Sequence, residues 1–343
     1  MKNAKLSKYK TIQAACCIQG KRVLFASLPD SLINTDYELT YVFSYDAGSS
    51  DATPWRWNDY DWKMVSVCYD SLRQLRCVLS REGEVNIYGP GDNRDHTFQI
   101  PEAGVFGKAA ADLGYVNRVQ VIGGSILVCG MNRQVYRFDW DGKDLGAGKW
   151  INVSGSMRQP PAGDPPDDDG EAFDQWLEDS DSIDFVDIAG LSETDIYTVG
   201  DQAWYYNGQH WSQLELPTDE SLAAIKVLDN QRVVFVGHNG RLLIGNAQDG
   251  FTELSTVDDN QNFVGVEWYQ DKLFLASNLG LFTHDPVKKK IEKYATSLKP
   301  DLKDTHLLEA KDGLLWSFGF KDLAYFDGKD WTRVDHPDNP KIL

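Results

Sequence analysis

The side chains with most to offer chemically lie in residues 160–184, which read PPAGDPPDDDGEAFDQWLEDSDSID. A run of hard carboxylate oxygens first suggests calcium. Set against an EF-hand loop, Asp167, Asp169 and Gly170 fall on the third, fifth and sixth positions. Pro165 and Trp176 then occupy the first and twelfth, where the strongest ligands belong, so no metal is expected. His96, His210, His238, His284, His306 and His336 are scattered, with no H-x-H, H-E-x-x-H or Cys/His grouping. No G-x-S-x-G elbow, Walker loop or G-x-G-x-x-G is present. The sequence predicts neither catalytic residues nor a cofactor.

What these acids can do is attract. Residues 159–225 contain 17 Asp and Glu and no Lys or Arg, while the whole chain carries a net charge of −18, so the remainder is close to neutral at −1. A charge run is ordinarily a solvated loop. The sharper reading is an anionic docking surface for a basic protein. The residues that would carry it are Asp164, Asp167, Asp168, Asp169, Glu171, Asp174, Trp176, Glu178, Asp179 and Asp181, joined by Asp201 downstream. The same charge argues against nucleic acid, whose phosphates need Lys and Arg, and against an anionic membrane. Within the run, residues 171–178 read as a short helix with Phe173, Trp176 and Leu177 on one side, capped by one of Asp167, Asp168 and Asp169. Trp176 either tucks against the body of the protein or anchors a partner.

Several classes drop out on composition. With 42 % hydrophobic and 12 % aromatic residues the chain can bury a large core. Cys16, Cys17, Cys68, Cys77 and Cys129 are odd in number and irregular in spacing, which predicts reduced thiols in a cytoplasmic protein rather than a disulfide framework. The apolar patch at residues 12–18 is too short for a secretory signal, and no run approaches a membrane span.

The elements that must position the acids come from internal repeats. Residues 195–216 (DIYTVGDQAWYYNGQHWSQLEL) match residues 313–334 (GLLWSFGFKDLAYFDGKDWTRV): an apolar strand ending in Gly, an aromatic strand, an Asn-Gly or Asp-Gly turn, then Trp opening another strand. Those dipeptides suit the φ > 0 positions of tight hairpins. Looser copies occupy residues 125–153, 232–254 and 272–294. The small residue closing the second strand falls at Gly130, Gly200, Gly237, Ser277 and Gly319; the last three intervals are 37, 40 and 42 residues, but the first is 70. The excess of roughly 30 residues coincides with the acidic run. A further strand precedes each copy, at 116–122, 183–189, 223–228, 263–268 and 305–310, and two more units fit residues 11–61 and 64–100.

Seven four-stranded units of about 40 residues predict an all-β fold, a seven-bladed β-propeller of antiparallel blades, with an acidic insertion between two blades. The expected organisation is one propeller domain over residues 1–343, the insertion occupying about residues 155–182. The local motif resembles the bacterial propeller repeats written V-G-x-x-G-x-I-x-x-Y-D-G-x-x-W, most clearly over residues 116–334. Propeller geometry puts the insertion on the face that carries the loops between second and third strands, near Asp201.

In general character, though not in any motif, the chain is similar to the immunity proteins of bacterial polymorphic toxins. Those are typically cytoplasmic, acidic and without catalytic motifs, and they cover the active sites of nucleases or other effectors. The resemblance implies a non-catalytic protein, a monomer on its own, that docks a basic toxin or effector domain. Two alternatives remain open. A hydrolase or lyase working in the central channel would converge titratable groups at the channel mouth. A scaffold or sugar-binding module would show exposed, unrepeated aromatics on one face.

Overall fold

Short runs of Val, Ile, Phe, Tyr and Trp broken by Gly, Asn and Asp form strands because branched and aromatic side chains pack well on a pleated surface. The computed structural model describes residues 6–35, 38–107, 110–111, 113–158, 163, 165–166, 170–180, 182–254, 261–287 and 289–342, with the backbone alone at 175 and 177–180. Among the described residues there are 28 strands, β1 to β28 in chain order, in seven antiparallel sheets of four. The sheets span residues 10–60, 64–99, 116–152, 185–213, 222–253, 265–294 and 305–333. This is the seven-bladed propeller that the repeats predict. The patch at residues 12–18 lies inside β1 (Lys10–Gln19) and is almost entirely buried.

The first strand of each blade lines a central channel: β1, β5 (Met64–Asp70), β9 (Val116–Ile122), β13 (Phe185–Ser192), β17 (Leu222–Val227), β21 (Gly265–Tyr269) and β25 (Thr305–Lys311). Loops after second strands and crossovers after fourth strands emerge on one face, here the crossover face. Hydrogen bonds tie the two sets together: Arg81 N–H to Lys63 O (3.1 Å), Arg133 N–H to Ile183 O (3.0 Å) and His238 N–H to Ser221 O (3.0 Å); where the ring closes, Ile12 N–H of β1 donates to the loop carbonyl of Phe320 (2.9 Å). The periodic small residue exists because the crossover backbone passes over the end of the second strand. A Cβ at Gly130 would stand 2.5 Å from Tyr115 O, and one at Gly200 would meet the carbonyl of Asp184.

Two expectations are corrected in detail. The strand expected at 183–189 begins at Phe185, because Ile183 and Asp184 are spent on bonds to the loops of Arg133 and Asp201. In the Asn-Gly and Asp-Gly turns only Gly208 (φ +90°) and Gly328 (φ +91°) are left-handed. Asn207 and Asp327 act instead through their side chains. Each Oδ1 accepts the N–H groups two and three residues on, at 2.8–3.0 Å.

The inner strands are stitched by side chains. Asp187 accepts Ile225 N–H (2.9 Å), Glu267 accepts Ala310 N–H (3.1 Å), Glu309 accepts Cys17 N–H (2.8 Å) and Ser66 accepts Val119 N–H (3.1 Å). Each bond crosses from one blade to the next. The ring closes without a shared strand, through the segment after β28 (Trp331–Arg333). Asn339 brackets the Lys10 peptide, accepting its N–H and donating to its carbonyl, both at 2.8 Å. His336 is buried against Phe25, Phe43 and Trp55 of the first blade.

Candidate interaction face

The segment between β12 (Lys149–Asn152) and β13 leaves and re-enters the propeller through anchored stems. On the way out, Val153 N–H bonds Val135 O (2.9 Å), Met157 is buried in the core between the third and fourth blades, and Arg158 pairs with Glu102 (2.9 Å). On the way back, Asp201 N–H donates to Asp184 O (3.1 Å), and Asp184 N–H donates to Asp201 Oδ2 (3.0 Å). The other oxygen of Asp201 accepts the Ser221 hydroxyl at 3.1 Å. Asp201 therefore stands beside the acidic segment, as its loop position predicts, but its carboxylate is occupied in holding the stem.

Between the stems, helix α1 runs over Glu171–Ser180, close to the residues 171–178 that the apolar spacing marks. Glu171 and Asp174 are exposed in its first turn, where negative charge suits the positive end of the helix dipole. Trp176 is half-buried: its indole N–H donates to Gly163 O (2.6 Å), and its ring stacks on Phe173 with centroids 5.7 Å apart. The segment thus makes its own small contact, and no described residue of the helix belongs to a core cluster of the propeller. Glu178 and Asp179 lie in the last turn. Asp164, Asp167, Asp168, Asp169 and Asp181 fall outside the described residues, as does the expected helix cap.

Beside Asp201, the crossover from the fourth blade to the fifth walls a groove of about 640 Å³ that contains Glu215, Asp219 and Glu220 and no Lys or Arg. The sequence reading passes over these three acids. They lie inside the cation-free stretch, but nothing in the repeat says which of its acids share a wall. Several cations bordering the crossover face are neutralised within the fold: Arg81 pairs with Glu38 (3.0 Å), Arg158 with Glu102, and Lys321 with Asp30. The excess charge on this side is negative.

The channel, about 520 Å³, does contain ionisable groups. Arg118 pairs with Asp187 (3.1 Å) and Lys226 with Glu267 (2.5 Å), while Lys311 donates to Cys17 O (3.2 Å) beside Glu309. Burial raises the Asp187 carboxyl against the pull of Arg118, and burial likewise raises Glu309. Burial pushes His306 down to about 4, so it is neutral. These carboxylates already accept peptide N–H groups from neighbouring blades, and their chemistry is that of clasps. Among the described residues no grouping of His, Cys, Asp and Glu could hold a metal ion, and the five cysteines are buried free thiols. No described helix is long and apolar enough to cross a membrane.

No family model matches the chain. It is similar to the immune protein Tsi7 of Pseudomonas aeruginosa, 29 % identical over 318 residues that cover 90 % of this chain and 92 % of that protein. Among solved structures it resembles the WD40 β-propeller domain of Doa1 (TM-score 0.59, 8 % identity, 93 % of this chain and 95 % of that one). It also resembles Saccharomyces cerevisiae Sqt1 (TM-score 0.58, 11 % identity, 96 % and 85 %). At such identities these structures speak for the fold alone.

Proposed function

We propose that this chain is a cytoplasmic, non-catalytic immunity protein that binds a basic toxin or effector and neutralises it by covering its working surface. The observation that carries this reading is the near end-to-end similarity to an immune protein, over 90 % of this chain and 92 % of its relative. Three features of the fold support it. The acidic segment is rooted on the crossover face by bonds at both stems. The neighbouring groove adds Glu215, Asp219 and Glu220 beside Asp201. The channel carboxylates are engaged between blades rather than arrayed for catalysis.

The docking set consists of Glu171, Asp174, Trp176, Glu178 and Asp179 on the helix and of Asp164, Asp167, Asp168, Asp169 and Asp181 around it, with Asp201 holding the base. Opposite charges across such an interface speed association and select partners more than they add affinity. The test is co-expression with a candidate effector taken from the genes that flank this chain's own. Cells producing both should grow, and cells producing the effector alone should not. Equal killing with and without this chain would end the reading.

A further inference from the structure

The acidic segment is not the only feature that distinguishes the crossover face. Of the thirteen large apolar residues that are exposed among the described ones, nine lie on this side of the ring; Trp57, Leu72, Leu191 and Val287 do not. Four of the nine lie on the fourth, sixth and seventh blades: two line the channel, and two tip loops of this face. Val186 and Val264 line the channel where the inner strands of the fourth and sixth blades begin. Leu279, 56 % exposed, tips the loop between second and third strands of the sixth blade, and Phe320, 43 % exposed, tips that of the seventh. Phe320 is held in place: its ring stacks on His306, centroids 4.5 Å apart and 15° from parallel, and its carbonyl accepts Ile12 N–H at 2.9 Å. An ordered aromatic anchor loses little conformational freedom on binding.

Resting on the reading of the chain as an immunity protein, we infer that Val186, Val264, Leu279 and Phe320 form an apolar collar that is the energetic centre of the interface, and that the partner seats on it an apolar projection bordered by Lys and Arg. Exposed apolar residues gathered on one side of a soluble protein mark an interaction site, and interface energy concentrates in a dry centre inside a polar rim. On the side of the fourth and fifth blades the collar's border is acidic, in the groove of Glu215, Asp219 and Glu220 beside Asp201. That polarity selects a basic border. Below the collar the channel turns polar at the Arg118–Asp187 and Lys226–Glu267 pairs, so the apolar contact stops at the mouth.

The division of labour is testable by the kinetics of binding to that candidate effector, made harmless by an inactivating substitution. The triple variant Val264→Ser, Leu279→Ser, Phe320→Ser should dissociate at least about 30-fold faster at an unchanged association rate. Leu279→Arg alone, at an exposed loop tip, should also dissociate faster, because it sets a cation against a basic border. Leu72→Ser with Val287→Ser, on the opposite face, should behave as wild type, and thermal melting confirms that each variant is folded. If the wild-type chain binds and the folded collar variants dissociate at its rate, the collar inference falls while the immunity reading stands. If the wild-type chain does not bind that effector at all, both fall.

Discussion

Asp184 and Asp201 join the acidic segment to the propeller by two hydrogen bonds, Asp201 N–H to Asp184 O at 3.1 Å and Asp184 N–H to Asp201 Oδ2 at 3.0 Å. One of these is backbone to backbone and survives substitution. The other depends on the side chain, which also receives the Ser221 hydroxyl. Asp201→Ala should therefore cost about 1 kcal/mol of stability, as solvent-accessible hydrogen bonds do. Glu171→Gln, exposed on the helix, should cost almost nothing. Urea denaturation of the two variants against wild type gives the comparison. Equal stabilities would mean that Asp201 is not an anchor.

The same junction predicts a contrast between two glycines. A Cβ at Gly200 would meet the Asp184 carbonyl, which is backbone and cannot swing away, whereas a Cβ at Gly163 meets nothing within 4 Å. Gly200→Ala should lower stability by about 2 kcal/mol or more, as overpacking does. Gly163→Ala should be neutral, leaving the Trp176 indole bond to the residue 163 carbonyl intact. Thermal melts of the two variants separate these outcomes.

Ring closure should depend on Asn339. Its amide is bonded in both directions to Lys10, 329 residues away, and acts as a one-residue strand. Asn339→Ala leaves the Lys10 N–H without its acceptor, while the Lys10 carbonyl keeps the Lys321 ammonium at 2.8 Å, and should cost about 1 kcal/mol or a little more. Asn339→Asp keeps the acceptor for Lys10 N–H but loses the donor to Lys10 O, and should fall between. Hydrogen exchange at Lys10 reports the opening directly, and protection there that is equal in all three proteins would refute the bracket.

His336 gives the closure a pH dependence. Burial holds it down to about 4, its Nδ1 accepts Asp338 N–H at 3.1 Å, and its Nε2 faces the buried Ser27 hydroxyl at 3.4 Å. In the unfolded chain it titrates near 6.5. Its stabilising contribution is complete above that value and declines as pH falls from about 6.5 towards 4, because only the unfolded state takes up the proton. The decline approaches about 3 kcal/mol. Asp187 and Glu309, raised by burial, act in the opposite sense, so the effect is read as a difference between proteins. His336→Asn should be less stable than wild type at pH 7, and the gap should narrow on acidification. A gap that stays constant from pH 7 to pH 5 would contradict the assignment.

Much of this architecture is legible in the sequence because each blade repeats its own local chemistry. The turns at Asn207-Gly208 and Asp327-Gly328 and the small residue at Gly200, Gly237 and Gly319 depend on neighbours that recur at the same spacing. The ring closure is not legible. His336 and Asn339 belong to no repeat, and their partners Phe25, Phe43 and Lys10 lie some three hundred residues earlier, so no local pattern pairs them. The interaction face divides in the same way. Charge composition marks the acidic segment, and propeller geometry marks Asp201 as its neighbour. Glu215, Asp219 and Glu220 become a wall, and Val264, Leu279 and Phe320 a collar, only when separate blades converge on one face.

The central claim is that negative charge on this face draws in a basic effector. The most direct measurement is the association rate between the inactivated candidate effector and a variant with Asp167, Asp168, Asp169, Glu171, Asp174, Glu178 and Asp179 changed to their amides, followed from low to high salt. The account predicts association at least about 10-fold slower than wild type at low salt, with the salt dependence largely abolished. Rates that match wild type at every salt concentration would contradict it.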